Sequence, residues 1–173
     1  FRCPSSQQGY SPFTTWTRGA AWIICGYAEQ LEFLDMVKGS ELDAVGGRRA
    51  VTDLFLETAR ATSDYYIDGY SAKDGIPYWD SMALNTHKLG DFAKRAAEPF
   101  NAHEPVDSSA AAIAAQGFLR LGRWLDANGE KAAGKKYFQA GLTIADTLFD
   151  EPYLSTDKKH QGLLLHSVYH RPN

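Results

Sequence analysis

The chain reads as an all-α protein assembled from helical hairpins, on three observations. Four long segments carry apolar residues at helical spacing. The segments alternate in kind, apolar on most faces and then amphipathic, and the order recurs after about 90 residues, with Gly26-Tyr27 matched by Gly117-Phe118. No segment sustains the alternation of a strand. A period of helical hairpins points to a solenoid or a closed toroid, with the apolar helices in an inner ring and the amphipathic ones outside.

The first helix is expected over Thr17 to Met36. From Ala20 to Leu34 nearly every residue except Glu29, Gln30 and Glu32 is apolar or small, so the helix should be buried on most faces. The second is expected over Ala44 to Ile67. Val51, Leu54, Phe55, Thr58, Thr62 and Tyr65 form one stripe, and Arg48, Arg49, Asp53, Glu57, Arg60 and Asp64 the opposite side. The third runs over Ser108 to Leu125, opened by Asp107 as N-cap behind Pro105. Its run of alanines and Ile113 again reads as buried. The fourth runs over Glu130 to Phe149, with Ala133, Tyr137, Ala140, Ile144 and Leu148 inside and its lysines outside. Residues 75–80 and 162–169 can at most form small β segments at loop ends.

Composition narrows the function. With 173 residues, 44% of them hydrophobic, the chain is long and apolar enough for one domain with a core. A net charge of −3 offers no concentrated basic face, which argues against a nucleic-acid partner. Lys131, Lys135 and Lys136 read as a solvated helix face. No apolar stretch reaches the ~20 residues that span a bilayer, so no membrane partner is expected and the protein should be soluble. Cys25 reads as a buried thiol in an apolar run, with a disulfide to Cys3 left open. The five histidines lack metal-ligand spacing, and no phosphate-binding glycine loop or C-x-x-C occurs, so neither metal nor cofactor is expected. The chain opens at Phe1 on a stretch rich in Ser, Gln, Gly, Pro and Thr, which reads as a loop entering from something earlier.

Chemistry gathers in the loops that feed the two apolar helices. Trp16, Arg18 and Trp22 stand at the start of the first, and Trp79 and Asp80 in the loop before the third, which opens with Asp107-Ser108-Ser109. Indole faces stack on the C–H side of a pyranose while polar groups hold its hydroxyls, so this is the equipment of a sugar site. An arginine in the first turn of a helix sits at the unfavourable end of the dipole, and an anionic partner would justify it. The bland alternatives are core tryptophans, an Arg18 paired with an internal carboxylate, and an Asp107 that only caps.

In order, Thr15-Trp16-Thr17-Arg18-Gly19-Ala20-Ala21-Trp22, Gly75-Ile76-Pro77-Tyr78-Trp79-Asp80, Asp107-Ser108-Ser109-Ala110-Ala111-Ala112 and His160-Gln161-Gly162-Leu163-Leu164-Leu165-His166 resemble the second half of the unsaturated glucuronyl hydrolases. That resemblance implies six helical hairpins closed into an (α/α)6 toroid, a six-hairpin glycosidase fold about twice this length. It makes this chain the carboxy-terminal portion of a single barrel domain whose amino-terminal half is missing. It implies a glycoside hydrolase acting on the unsaturated uronic acid that polysaccharide lyases leave on oligosaccharides. An aspartic acid protonates the C4=C5 bond, water adds at C5, and the hemiketal collapses to release the sugar, which asks for a carboxyl able to act as acid and then base. The family's aspartates lie upstream of the arginine motif, so the fragment alone is expected to be inactive, with Asp80 and Asp107 as weak catalytic candidates. What carries over is substrate binding by Arg18 and Trp22, joined by Trp16, Trp79 and Ser109. Ala20 stands where the family has a glutamine, and the loop from Asp80 to Pro105 is long; both bear on substrate choice.

Two other readings compete. A sugar 2-epimerase-like α/α barrel would use paired histidines on inner helices, whereas here they fall mostly in loops. A non-catalytic helical-repeat binding module would explain the repeat, but the apolar helices suit the concave face of an open solenoid poorly.

Overall fold

The computed structural model describes residues 6–169. Cys3, with any pairing it makes to Cys25, and His170 lie outside the described residues. Four helices carry the fold: α1 (Thr17–Met36), α2 (Gly47–Tyr65), α3 (Ser108–Ala127) and α4 (Lys131–Leu148). Among the described residues, β structure is limited to isolated bridges. Each has a residue in one of the segments read as short β candidates: Pro77, Tyr78 and Asp80 pair with Ser71, Val106 and Trp16, and Leu164 pairs with Leu154. Among the described residues, no helix is long and apolar enough to cross a membrane.

The helix α1 spans the residues expected of it and packs on α3 backbone to backbone. A Cβ on Gly117 would lie 2.8 Å from Cys25 Cα, so only glycine lets the two helices approach this closely. Glu29 and Glu32, which interrupt the apolar run of α1, and Asp35 just past it serve the same seam. Glu29 accepts from Gln116 Nε2 at 3.2 Å, Glu32 pairs with Arg120, and Asp35 accepts from Trp124 Nε1 at 3.0 Å. At the C-terminal end of α1 the Arg48 guanidinium donates to the Leu34 and Val37 carbonyls, orphans that a cation suits.

The start of α2 falls later than the sequence suggests, because Gly46 (φ 98°) and Gly47 (φ 84°) first turn through the left-handed region. Past Tyr65 the chain winds one π-helical turn, Tyr66–Tyr70. The stripe along α2 packs only in part. Phe55 does meet Tyr27 edge-on at 5.4 Å, but Leu54 is 59% exposed and Tyr65 also faces solvent. Thr58 and Thr62 turn their hydroxyls onto the helix's own carbonyls instead of seeking a core. The buried positions are Ala59, Ser63, Tyr66 and Tyr70. Arg60 and Asp64, on the side opposite the stripe, reach α4: Arg60 pairs with Glu130, and Asp64 accepts from Lys136 Nζ at 2.9 Å and Tyr137 OH at 2.8 Å. The contact between the outer helices is therefore polar.

The α3 helix is covered from both sides, by α1 and by α4, which packs on it through glycines. A Cβ on Gly122 would meet the Phe138 backbone nitrogen at 2.6 Å. Phe118 lies parallel to Tyr137 and edge-on to Tyr66, 5.2 Å away, at the centre of the core. A chain forming only part of a toroid is expected to expose apolar surface on both inner helices. Only α1 shows it, where Trp22, Ile23, Phe33 and Met36 face outward.

Candidate functional site

One short segment brings the starts of α1 and α3 together. Thr17, the first residue of α1, donates its Oγ1 to the Tyr78 carbonyl at 2.8 Å and its backbone nitrogen to the Trp79 carbonyl at 3.2 Å. The Pro77 carbonyl accepts from Asp107 N at 2.9 Å, and Trp79 N donates to the Pro105 carbonyl at 3.0 Å. Residues 77–80 thus tie both helix starts to one backbone. A second segment, residues 163–169, lies across the start of α3. Ser108 donates to the Leu165 carbonyl at 2.6 Å and, from its backbone, to the His166 carbonyl at 3.1 Å. His166 holds a left-handed backbone there (φ 62°), its ring edge-on against Phe100 and Tyr153.

Arg18 sits where these pieces meet. Nη1 donates to Ser109 Oγ at 3.3 Å and Nη2 to the Tyr169 carbonyl at 2.7 Å. The guanidinium carbon stands 5.0 Å from the Trp16 ring centroid and 5.9 Å from that of Tyr169, within cation–π range of both. The Trp16 ring has room because residue 19 is glycine, whose Cβ would otherwise lie 2.7 Å from Trp16 Cε3. Among the described residues no carboxylate forms an ion pair with Arg18. One helical turn on, Trp22 is 58% exposed on the same side of α1.

Of the five binding candidates, Arg18, Trp16 and Ser109 are in contact, and Trp22 is their neighbour along the helix. Trp79 does not join them. It is buried, and its Nε1 donates at 2.8 Å to Glu104 Oε2. A carboxylate as buried as Glu104 needs such donors, and it takes another from Asn85 N at 2.8 Å. The weak catalytic candidates are likewise built in. Asp80 is 1% exposed; its Oδ2 accepts from Tyr10 N at 2.9 Å and Thr14 Oγ1 at 3.0 Å, and its Oδ1 from Met82 N at 3.1 Å. Asp107 is fully buried and caps α3 as expected, accepting from Ser109 N and Ala110 N. Tyr169 was absent from the sequence candidates. It binds Arg18 through a main-chain carbonyl, for which no residue pattern codes.

The fold is that of the helical (α/α)6 toroids, and the known proteins it matches are unsaturated glucuronyl hydrolases. The chain is 27% identical over 169 residues to the unsaturated glucuronyl hydrolase of Formosa agariphila, covering 96% of this chain and 33% of that protein. It is 27% identical over 165 residues to the enzyme of the same name from Bacillus sp. strain GL1, covering 95% of this chain and 35% of the relative. The crystal structure of the Bacillus enzyme superposes with a TM-score of 0.65 at 25% identity, over 95% of this chain and 35% of that one. A mutant of the Streptococcus agalactiae enzyme, solved in complex with dGlcA-GalNAc6S, superposes with a TM-score of 0.63 at 23% identity, over 96% and 35%. No protein-family model matches the chain. The resemblance read from the four motifs is borne out across nearly the whole chain. The chain spans about a third of the length of these relatives, where the motifs had implied about half.

Proposed function

We propose that the chain forms part of the substrate-binding surface of a glycoside hydrolase that acts on unsaturated uronyl oligosaccharides by hydrating the C4=C5 bond. The observation that carries the proposal is the state of Arg18. A guanidinium has five N–H donors; two are used here, both on uncharged oxygens. Among the described residues no anion meets the positive charge, which stands between two aromatic rings at the start of two inner helices, and a uronate carboxylate suits it as a bidentate partner. Trp22, exposed one turn along, suits the apolar face of the same sugar. The names of the relatives support the substrate class.

In this reading a carboxylic acid protonates C4, water adds at C5, and the resulting hemiketal collapses to release the remaining sugar. Neither Asp80 nor Asp107 is at the surface, which supports a proton donor in a part of the toroid outside these 173 residues; in this reading the chain alone should not turn over substrate. The epimerase alternative requires histidines on the inner helices, and neither α1 nor α3 contains one.

The test is loss of the ultraviolet absorbance of the conjugated uronate when the intact protein meets lyase-generated oligosaccharides. Disappearance of that absorbance supports the reading. Release of an epimerised sugar with the double bond intact would refute it, as would turnover by the 173-residue chain alone for the placement of the acid.

A further inference from the structure

Resting on the reading of Arg18 as the anion-binding group, we propose that Asp107 is a positioning residue for Arg18, which it aims by holding the Ser109 hydroxyl as a pure acceptor. Oδ1 of Asp107 receives four donors. Two are the helix-start amides, Ser109 N at 3.1 Å and Ala110 N at 3.3 Å. The others are Ser109 Oγ at 2.5 Å and Val168 N at 3.4 Å. Capping alone needs only a neutral oxygen such as that of serine or asparagine. Here a carboxylate is fully buried, and its Oδ2 has no hydrogen-bond partner among the described residues. That arrangement costs stability a neutral cap would keep, so the carboxylate does something that capping does not require.

The short Ser109 contact shows what. A serine hydroxyl has one hydrogen, and a 2.5 Å separation is that of a charge-assisted O–H···O⁻ bond. With its hydrogen committed to Asp107, Ser109 turns lone pairs toward Arg18 Nη1. A hydroxyl free to rotate could point its hydrogen at the guanidinium instead. Val168 extends the same control to the other side, because it anchors to Asp107 Oδ1 the segment whose next carbonyl, that of Tyr169, receives Nη2. Both occupied corners of the guanidinium fork therefore rest on one carboxylate oxygen. The three remaining donors are left in a set direction. Ser109 itself can accept from a sugar hydroxyl but has no hydrogen to offer an anion.

The test measures KM and kcat of the intact protein for an unsaturated uronyl disaccharide, and the inhibition constant of its neutral, carboxyl-reduced analogue. Asp107→Ser keeps a helix cap but withdraws the oxygen from Ser109; Ser109→Ala removes the relay directly. Each is expected to raise KM about tenfold with kcat retained and the neutral analogue unaffected, whereas Asp107→Asn, which keeps an acceptor but loses the charge that fixes the Ser109 hydrogen, should raise KM by an intermediate factor, above wild type and below Asp107→Ser. In an Arg18→Ala background neither substitution should cost more. A further loss in that background, or an equal loss for the neutral analogue, assigns Asp107 a merely structural role and overturns the proposal. So does an unchanged KM for Ser109→Ala, which leaves the backbone of the cap alone and decides the matter if Asp107→Ser does not fold. If Arg18→Ala itself leaves KM unchanged, the anion-binding reading fails as well.

Discussion

The Arg18 guanidinium and the Ser109 hydroxyl, 91 positions apart in sequence, meet at 3.3 Å. The contact joins the first turns of α1 and α3, so the guanidinium stands between two inner helices with its orientation set by both. Arg18→Ala is expected to weaken binding of an unsaturated uronyl saccharide by about 2–4 kcal/mol while the chemical step survives, seen as a raised KM at constant kcat. Arg18→Lys should recover little. An ammonium keeps the charge but cannot reach Ser109 Oγ, the Tyr169 carbonyl and a carboxylate as one planar fork.

Gly117 and Gly26 hold matching places in the internal repeat but opposite surroundings. A methyl at Gly117 runs into the α1 backbone, which cannot step aside, whereas nothing lies within 4 Å of one at Gly26. Gly117→Ala should therefore destabilise the chain by about 1–3 kcal/mol. Gly26→Ala should stabilise it by up to about 1 kcal/mol through helix propensity. Thermal denaturation of the two variants of this chain checks the contrast, and a loss from both would mean that Gly26 is also a contact position.

Much of this was legible in advance because helix burial is written locally. The all-apolar run from Ala20, the alanines after Asp107 and the lysines of α4 each announce one helix and one face. The stripe on α2 misled because amphipathicity shows which residues are apolar and not what the polar ones meet. Arg60 and Asp64 find partners on α4 far away in sequence, and threonine hydroxyls satisfied by their own helix mimic an inner face. Trp79 was misplaced for the same reason, since its ring is turned by Glu104, 25 positions on. The Tyr169 carbonyl was out of reach because main-chain oxygens carry no residue signature.

Trp79 offers a test of that correction. Trp79→Phe removes the indole donor to Glu104 but keeps an aromatic ring, and should cost about 1–3 kcal/mol of stability. Saccharide affinity should stay unchanged at temperatures where the variant is folded. A selective loss of affinity without loss of stability would return Trp79 to the sugar site.

The link between α2 and α4 should weaken in acid. Burial tends to raise the Asp64 carboxyl, but the hydrogen bonds from Lys136 and Tyr137 and the nearby cations outweigh it and hold the group below its ordinary value of 3.8. A carboxyl whose folded value is depressed contributes stability above its unfolded value and loses it as pH falls through the folded one. Melting temperature should thus fall as the pH drops below about 4, and the fall should be shallower in Asp64→Asn. Parallel curves for the two proteins would show that Asp64 contributes nothing to the acid sensitivity.

Trp22 separates binding from folding more cleanly than any other residue of the site. Its position in an apolar inner helix suggests a core residue whose loss would collapse a packed layer, at the several kcal/mol typical of a buried tryptophan. The structure leaves it 58% exposed, beside Arg18 on the outward face of α1, so little packing is at stake in this chain. Trp22→Ala should accordingly change its melting temperature slightly, and alanine is itself the better helix former. In the intact protein the same substitution should raise KM by removing a flat apolar surface against the sugar, whereas Trp22→Phe should retain part of that surface and part of the affinity. Arg18→Ala should discriminate between the uronyl saccharide and its neutral carboxyl-reduced analogue, but Trp22→Ala should weaken both alike, because stacking reads the C–H face and not the charge. If Trp22→Ala unfolds this chain, the outward face of α1 is a packing surface already in use, and its role in the sugar site is lost.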